Sequence, residues 1–147
     1  MHIDQTYEAA VKRVHQLLGA DAPRLLQGRV RLVNVWRPIA HAVHHRPLAL
    51  ADWRTLAPDG AELVPVKYVY PDREGATFSV RFRAAHAWWY LSEQRPDEVT
   101  LIKCFDSEVR EGCARLTPHS AFVDPTTPSD KPHRQSIELR ALLFDVE

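Results

Sequence analysis

Residues 29–38 read RVRLVNVWRP. When side chains alternate with a period of two, Val30, Leu32, Asn34 and Trp36 fall on one face. Arg31, Val33, Val35 and Arg37 fall on the other. This is a strand pattern, and the rest of the chain reads outward from it. Downstream come ELVPVKYVYP (62–71) and ATFSVRFR (76–83), with DREG (72–75) between them as a hairpin turn. AWWYL (87–91), EVTLIKCF (98–105), HSAFVDP (119–125) and RQSIELRALLF (134–144) are further strands. The chain has eleven prolines against five glycines. Proline is excluded from central strand interiors, so these residues bound short strands.

Upstream the period changes. Tyr7, Ala10, Val11, Val14, Leu17 and Leu18 repeat at the spacing of one helix face, which predicts a helix over 7–18. Gly19 stops it, and Asp4 or Thr6 caps its start. Asp21 and Pro23 open a short helical turn at 22–27. The expectation is one domain over residues 1–147, mainly β, with an N-terminal helix and about six or seven antiparallel strands. That pattern fits a barrel or jelly roll.

Composition narrows the function. Of the 147 residues, 45% are hydrophobic and 26% charged, ordinary for a globular chain. Nineteen Lys and Arg balance nineteen Asp and Glu. A balanced chain with no basic block argues against nucleic acid as a partner, because phosphate binding needs a basic excess. No apolar run approaches the roughly 18 residues of a membrane helix, so no membrane partner is expected. The N-terminus lacks the basic and apolar regions of a signal peptide. Two cysteines, Cys104 and Cys113, are too few for a disulfide framework and show no CxxC spacing. Reduced thiols and a cytoplasmic location are the expectation.

The chemistry-bearing residues are spread along the chain. His2 and Asp4 are two apart, so an extended N-terminus would present both on one face. An imidazole and a carboxylate there, joined by a distant histidine, make the two-histidine-one-carboxylate set that leaves positions open on ferrous iron. Alone the pair is also what an ordinary helix-capping N-terminus looks like. His119, following Pro118, is the candidate third ligand. Arg134 and Ser136 form an Arg-x-Ser pair at the last strand, with Arg140 on the same face. A guanidinium fork beside a hydroxyl suits a carboxylate. The order His-x-Asp, distant His, Arg-x-Ser in an all-β chain is that of double-stranded β-helix oxygenases using ferrous iron and 2-oxoglutarate. The HAVHH run (41–45) has no second cluster at zinc-finger spacing. Lys103 is expected to snorkel to solvent and Cys104 to be an inert strand thiol.

MHIDQT, NVWRPI, PLALADWRTL, LVPV, HAWWYLSEQRPDEVTLIKCFDS, TPHSAFVDPTTP and RQSIELRALLF together resemble the hydroxylase/desaturase family typified by AsaB, CmcJ and the fungal gibberellin desaturase. The resemblance runs over essentially the whole chain. It implies a double-stranded β-helix, jelly-roll or cupin-like. It implies an oxidoreductase of secondary metabolism that hydroxylates or desaturates a small-molecule substrate with Fe(II), O2 and 2-oxoglutarate. It also implies that His2, Asp4 and His119 bind iron, that Arg134 and Ser136 with Arg140 hold 2-oxoglutarate, and that Asn34, Trp36 and Arg37 line the substrate cavity. Family members are longer, with a long stretch ahead of the His-x-Asp pair. The expectation is therefore the C-terminal portion of an oxygenase-like barrel, incomplete at its N-terminus. Uncovered strand edges would then favour self-association. The alternatives are an inactive truncated member and a cupin-like small-molecule binder without oxygenase activity.

Overall fold

A computed structural model describes residues 1–145. Among the described residues, nine strands lie in two antiparallel sheets. The strands are β1 (His2–Ile3), β2 (Val30–Pro38), β3 (Leu48–Ala51), β4 (Leu63–Val69), β5 (Glu74–Val80), β6 (Trp88–Tyr90), β7 (Thr100–Asp106), β8 (His119–Ala121) and β9 (Ser136–Phe144). The larger sheet runs β4-β5-β1-β8-β3-β6, and the smaller runs β7-β2-β9. This is the mainly-β arrangement that the alternation predicts, with its helix at the N-terminus, and it agrees with the cupin-like fold that the resemblance implies.

The helix α1 spans Tyr7–Leu18. Thr6 is its cap: the Ala9 N–H donates to the Thr6 hydroxyl at 3.2 Å. The Thr6 N–H donates to the Ala76 carbonyl at 3.0 Å, so the helix start is tied to β5. Ala10 and Val14 face inward, where they join Val30, Leu32 and Trp36 of β2 and Ile102, Cys104 and Phe105 of β7. A second cluster of Ile3, Phe78, Val80 and Leu116 fills the space under the larger sheet. Tyr7 joins the two, with ring centroids 5.6 Å from Phe78 and 6.4 Å from Phe105.

The reading at 29–38 holds residue by residue. Val30, Leu32, Asn34 and Trp36 are buried, while Arg37 is exposed. Three local details differ from expectation. The LALA segment forms β3, which the strand pattern above does not include: leucine and alanine carry none of the β-branched or aromatic signal that marks a strand. The β4–β5 turn falls at 70–73, where the Tyr70 N–H meets the Arg73 carbonyl at 2.9 Å, so Glu74 and Gly75 belong to β5. The HSAFVDP strand is limited to His119–Ala121.

One irregularity shapes the interior. Leu32 pairs with Phe105 but Val33 pairs with Lys103, which leaves Cys104 as the extra residue of a β-bulge. The bulge breaks the alternation, so Cys104, Phe105 and Asp106 are all buried in succession. Asp106 is fully buried and receives Arg29 through two bonds of 2.9 and 2.7 Å and the Lys103 ammonium at 2.8 Å. Lys103 thus anchors the end of its own strand instead of reaching for solvent.

Candidate metal centre

β1 is wedged between β5 and β8, and its register sets His2 directly opposite His119. Two residues 117 positions apart in sequence therefore become cross-strand neighbours, with ring centroids 4.5 Å apart. Asp4 follows two residues after His2, just beyond the strand. Its Oδ1 lies 3.3 Å from His2 Nε2, and its Oδ2 lies 3.7 Å from His119 Nε2. One donor atom from each of the three residues lies within 4.8 Å of the others.

The surroundings suit these groups to holding a metal ion. His119 Nδ1–H donates to the Thr117 carbonyl at 3.1 Å, which fixes the tautomer and turns Nε2 toward Asp4. Burial lowers the His119 pKa, which favours the neutral imidazole that a metal needs. Burial alone would raise the Asp4 pKa. The hydrogen bond from His2, the charges of His119 and Arg140, and the Cys104 thiol outweigh it and hold the carboxyl well below its usual range. Asp4 is thus a carboxylate at neutral pH.

Three side chains converge on Asp4 Oδ2. The Asn34 amide donates to it, the Arg140 guanidinium reaches it at 3.0 Å, and the Cys104 thiol points at it from 3.4 Å. Arg140 Nε–H also donates to Asn34 Oδ1 at 2.9 Å, so the shell is itself tied together. Asn34 and Arg140 are register partners across β2 and β9, which explains the contact. Burial, followed by the Asp4 charge, pushes the Cys104 thiol upward, so it stays protonated and able to donate. Cys104 is the residue that sequence reasoning missed. Its signal was an alternation broken at LIKCFD, where Cys104, Phe105 and Asp106 are buried in succession.

The other candidates are placed as follows. Arg134 lies before β9. Its guanidinium donates to the Arg46 carbonyl at 2.5 Å and stacks 5.6 Å from the Trp36 ring. Burial draws its pKa below the ordinary value. Ser136 opens β9 opposite Pro38. Trp36 is buried on the same face as Asn34. Arg37 is on the opposite, solvent-facing side of β2 and is not brought to the cluster.

Two imidazoles and one carboxylate, converging inside a jelly roll with their hydrogen-bonding shell in place, define a class: cupin-like folds with a divalent-metal donor set. The chain matches the family model described as "Oxidoreductase/YMDC permease-like domain" over residues 1–144. It is 42% identical over 146 residues to the Fe(II)/2-oxoglutarate-dependent dioxygenase nvfI of Aspergillus novofumigatus, covering 98% of this chain and 51% of that protein. It is 38% identical over 154 residues to the hydroxylase/desaturase asaB of Aspergillus flavus, covering 97% of this chain and 67% of that protein. A solved structure of the iron and alpha-ketoglutarate-dependent endoperoxidase NvfI superposes with a TM-score of 0.89 at 43% identity, covering 97% of this chain and 52% of that one. The chain belongs to this oxidoreductase family, among the hydroxylase/desaturases related to asaB. It spans about half the length of nvfI.

Proposed function

We propose that this chain carries the centre of an Fe(II)- and 2-oxoglutarate-dependent oxygenase that hydroxylates or desaturates a small molecule. The observation that carries the reading is the convergence of His2, Asp4 and His119 with one donor atom each within 4.8 Å. The names of its relatives, which state iron and 2-oxoglutarate dependence, support it. In this reading the three residues hold the ion, and Asn34, Arg140 and Cys104 orient Asp4. Iron with 2-oxoglutarate and O2 would supply the oxidation of an unactivated C–H bond.

Arg134 is the residue for the distal carboxylate of 2-oxoglutarate, with Ser136 beside it. Asn34 touches Asp4, and Trp36 lies two residues further along the same face, a step of about 6.6 Å. Arg134 sits over the Trp36 ring on that face, which supports giving it this role. Arg140 serves Asp4 in this arrangement. Both cysteines are free thiols, which supports a cytoplasmic location. Among the described residues no helix is long and apolar enough to cross a membrane.

The test is an anaerobic titration with ferrous iron and 2-oxoglutarate, reading the visible charge-transfer band of the chelate. The parent should show the band, and His119→Ala should not. Arg134→Ala should retain iron binding but require at least about tenfold more 2-oxoglutarate, as loss of a bidentate charged contact predicts. A parent without the band would sink the reading.

A further inference from the structure

A cleft of about 380 Å³ opens beside His2 and Asp4, between α1 and the β4–β5 hairpin. Its size falls within the roughly 300–1,000 Å³ of small-molecule sites. Gln5, just ahead of α1, and Ala9, Lys12, Arg13 and Gln16, at the spacing of one face of α1, line one wall. The face of α1 turned from the core is thus a wall of the cleft. Tyr68, Tyr70 and Arg73 form the opposite wall, and small residues of β5 lie between.

The charge of this cleft is unbalanced. Lys12, Arg13, Arg73 and Arg140 face it, against Asp4 and Glu74. Arg140 is engaged by Asp4 and Glu138. Among the described residues, Lys12, Arg13 and Arg73 have no carboxylate within 4.0 Å. Cations converging on one concavity repel each other and raise the local concentration of anions. Arg73 is also stacked on Tyr70, 4.8 Å from the ring centroid, which orients its planar fork. Arg134, held at Arg46 and Trp36, does not line the cleft. The carboxylate assigned to Arg134 therefore leaves these three cations without an anion.

We infer that this cleft binds the substrate and that the substrate is a small organic acid. Lys12, Arg13 and Arg73 receive its carboxylate, the tyrosines contact its apolar body, and the remainder is directed at the metal ligands. The inference rests on the oxygenase reading for the word substrate, but its test does not depend on iron.

The experiment is calorimetric titration of the EDTA-treated protein with cinnamate, a planar acid, and with cinnamamide, its neutral counterpart. Cinnamate should bind at least about tenfold more tightly, the difference a charge-assisted contact makes. The preference should shrink in Arg73→Gln and vanish in the combined Lys12→Gln, Arg13→Gln and Arg73→Gln variant, whose fold is checked by circular dichroism. Equal affinities, no binding of the acid, or a preference that survives the combined variant would overturn the inference. It would also be overturned if 2-oxoglutarate displaced cinnamate and itself bound more weakly to the iron-loaded combined variant but not to Arg134→Ala. The cleft would then be the cosubstrate's. The acid is read without metal and the charge-transfer band with it, so the two readings fail separately.

Discussion

Asp4 is where the sequence is hardest to read and the structure most specific. One carboxylate oxygen faces His2 while the other gathers Asn34, Arg140 and Cys104. A ligand held in this way cannot swing freely, and loss of such orienting partners lowers metal affinity by about 10–100-fold. Asn34→Ala should produce a loss of that order, because it removes the donor to Asp4 and also frees Arg140. Cys104→Ala should cost less, since a thiol is a weak donor, and Cys104→Ser should recover most of the loss. Competition for ferrous or cobaltous ion against a chromophoric chelator measures all three. Unchanged affinity in Asn34→Ala would mean the shell is only structural. That His2, Asp4 and His119 could come together is legible from residue order and the period of two. The partners of Asp4 are not, because sequence gives a residue's type and face but not the atom it meets. Asn34 and Arg140 both read as residues for substrate or cosubstrate, and the β2–β9 register brings both to a carboxylate.

At the scale of elements, the site depends on how firmly β2 and β7 are locked. Asp106 does this at the end of β7, with Arg29, Lys103 and the Glu108 N–H as donors. Burial would raise its pKa, but the bonds from Arg29 and Lys103 prevail and hold it well below the usual range. Removing one partner of a buried pair costs about 3–5 kcal/mol, so Asp106→Ala should lower stability by that order. The sign of the pH dependence follows from the depressed pKa. The contribution is complete above the unfolded carboxyl value of about 3.9 and is lost as pH falls toward the folded-state value. Urea midpoints of parent and variant should thus differ most at neutral pH and converge below about pH 4. Thr6→Ala should cost about 1 kcal/mol in the same assay through the lost cap. The main strands and α1 were legible because each runs seven or more residues, long enough to show its period even where β7 bulges. β3 has neither β-branched nor aromatic residues to mark it, and the bulge at Cys104 is a tertiary event. It becomes visible only when Leu32 and Val33 skip a residue on β7.

For the whole molecule, the β7-β2-β9 sheet turns an unusual face outward. β9 presents Ser136, Glu138 and Arg140 opposite Pro38, Trp36 and Asn34, on the side of Asp4. Its Ile137, Leu139 and Leu143 therefore point away, while Leu142 and Phe144 pack on the core. Leu139 is 66% exposed and Leu101 is 65% exposed, and both flank Val35 in register, with Ile137 one step along. Polar residues are committed to the interior by the chemistry, and the alternation then puts leucines in water. A contiguous apolar stripe on a sheet whose outer strands β7 and β9 have no further neighbour among the described residues favours association. Sedimentation velocity over a dilution series should show a species larger than one chain that dissociates on dilution. Leu101→Lys with Leu139→Lys should shift it to the monomer. These side chains face away from Asn34 and Arg140, so the variant should keep the metal affinity of the parent. A parent that sediments as a monomer at every concentration would refute the association, and a variant that lost metal binding as well would show that the outer leucines hold the small sheet together.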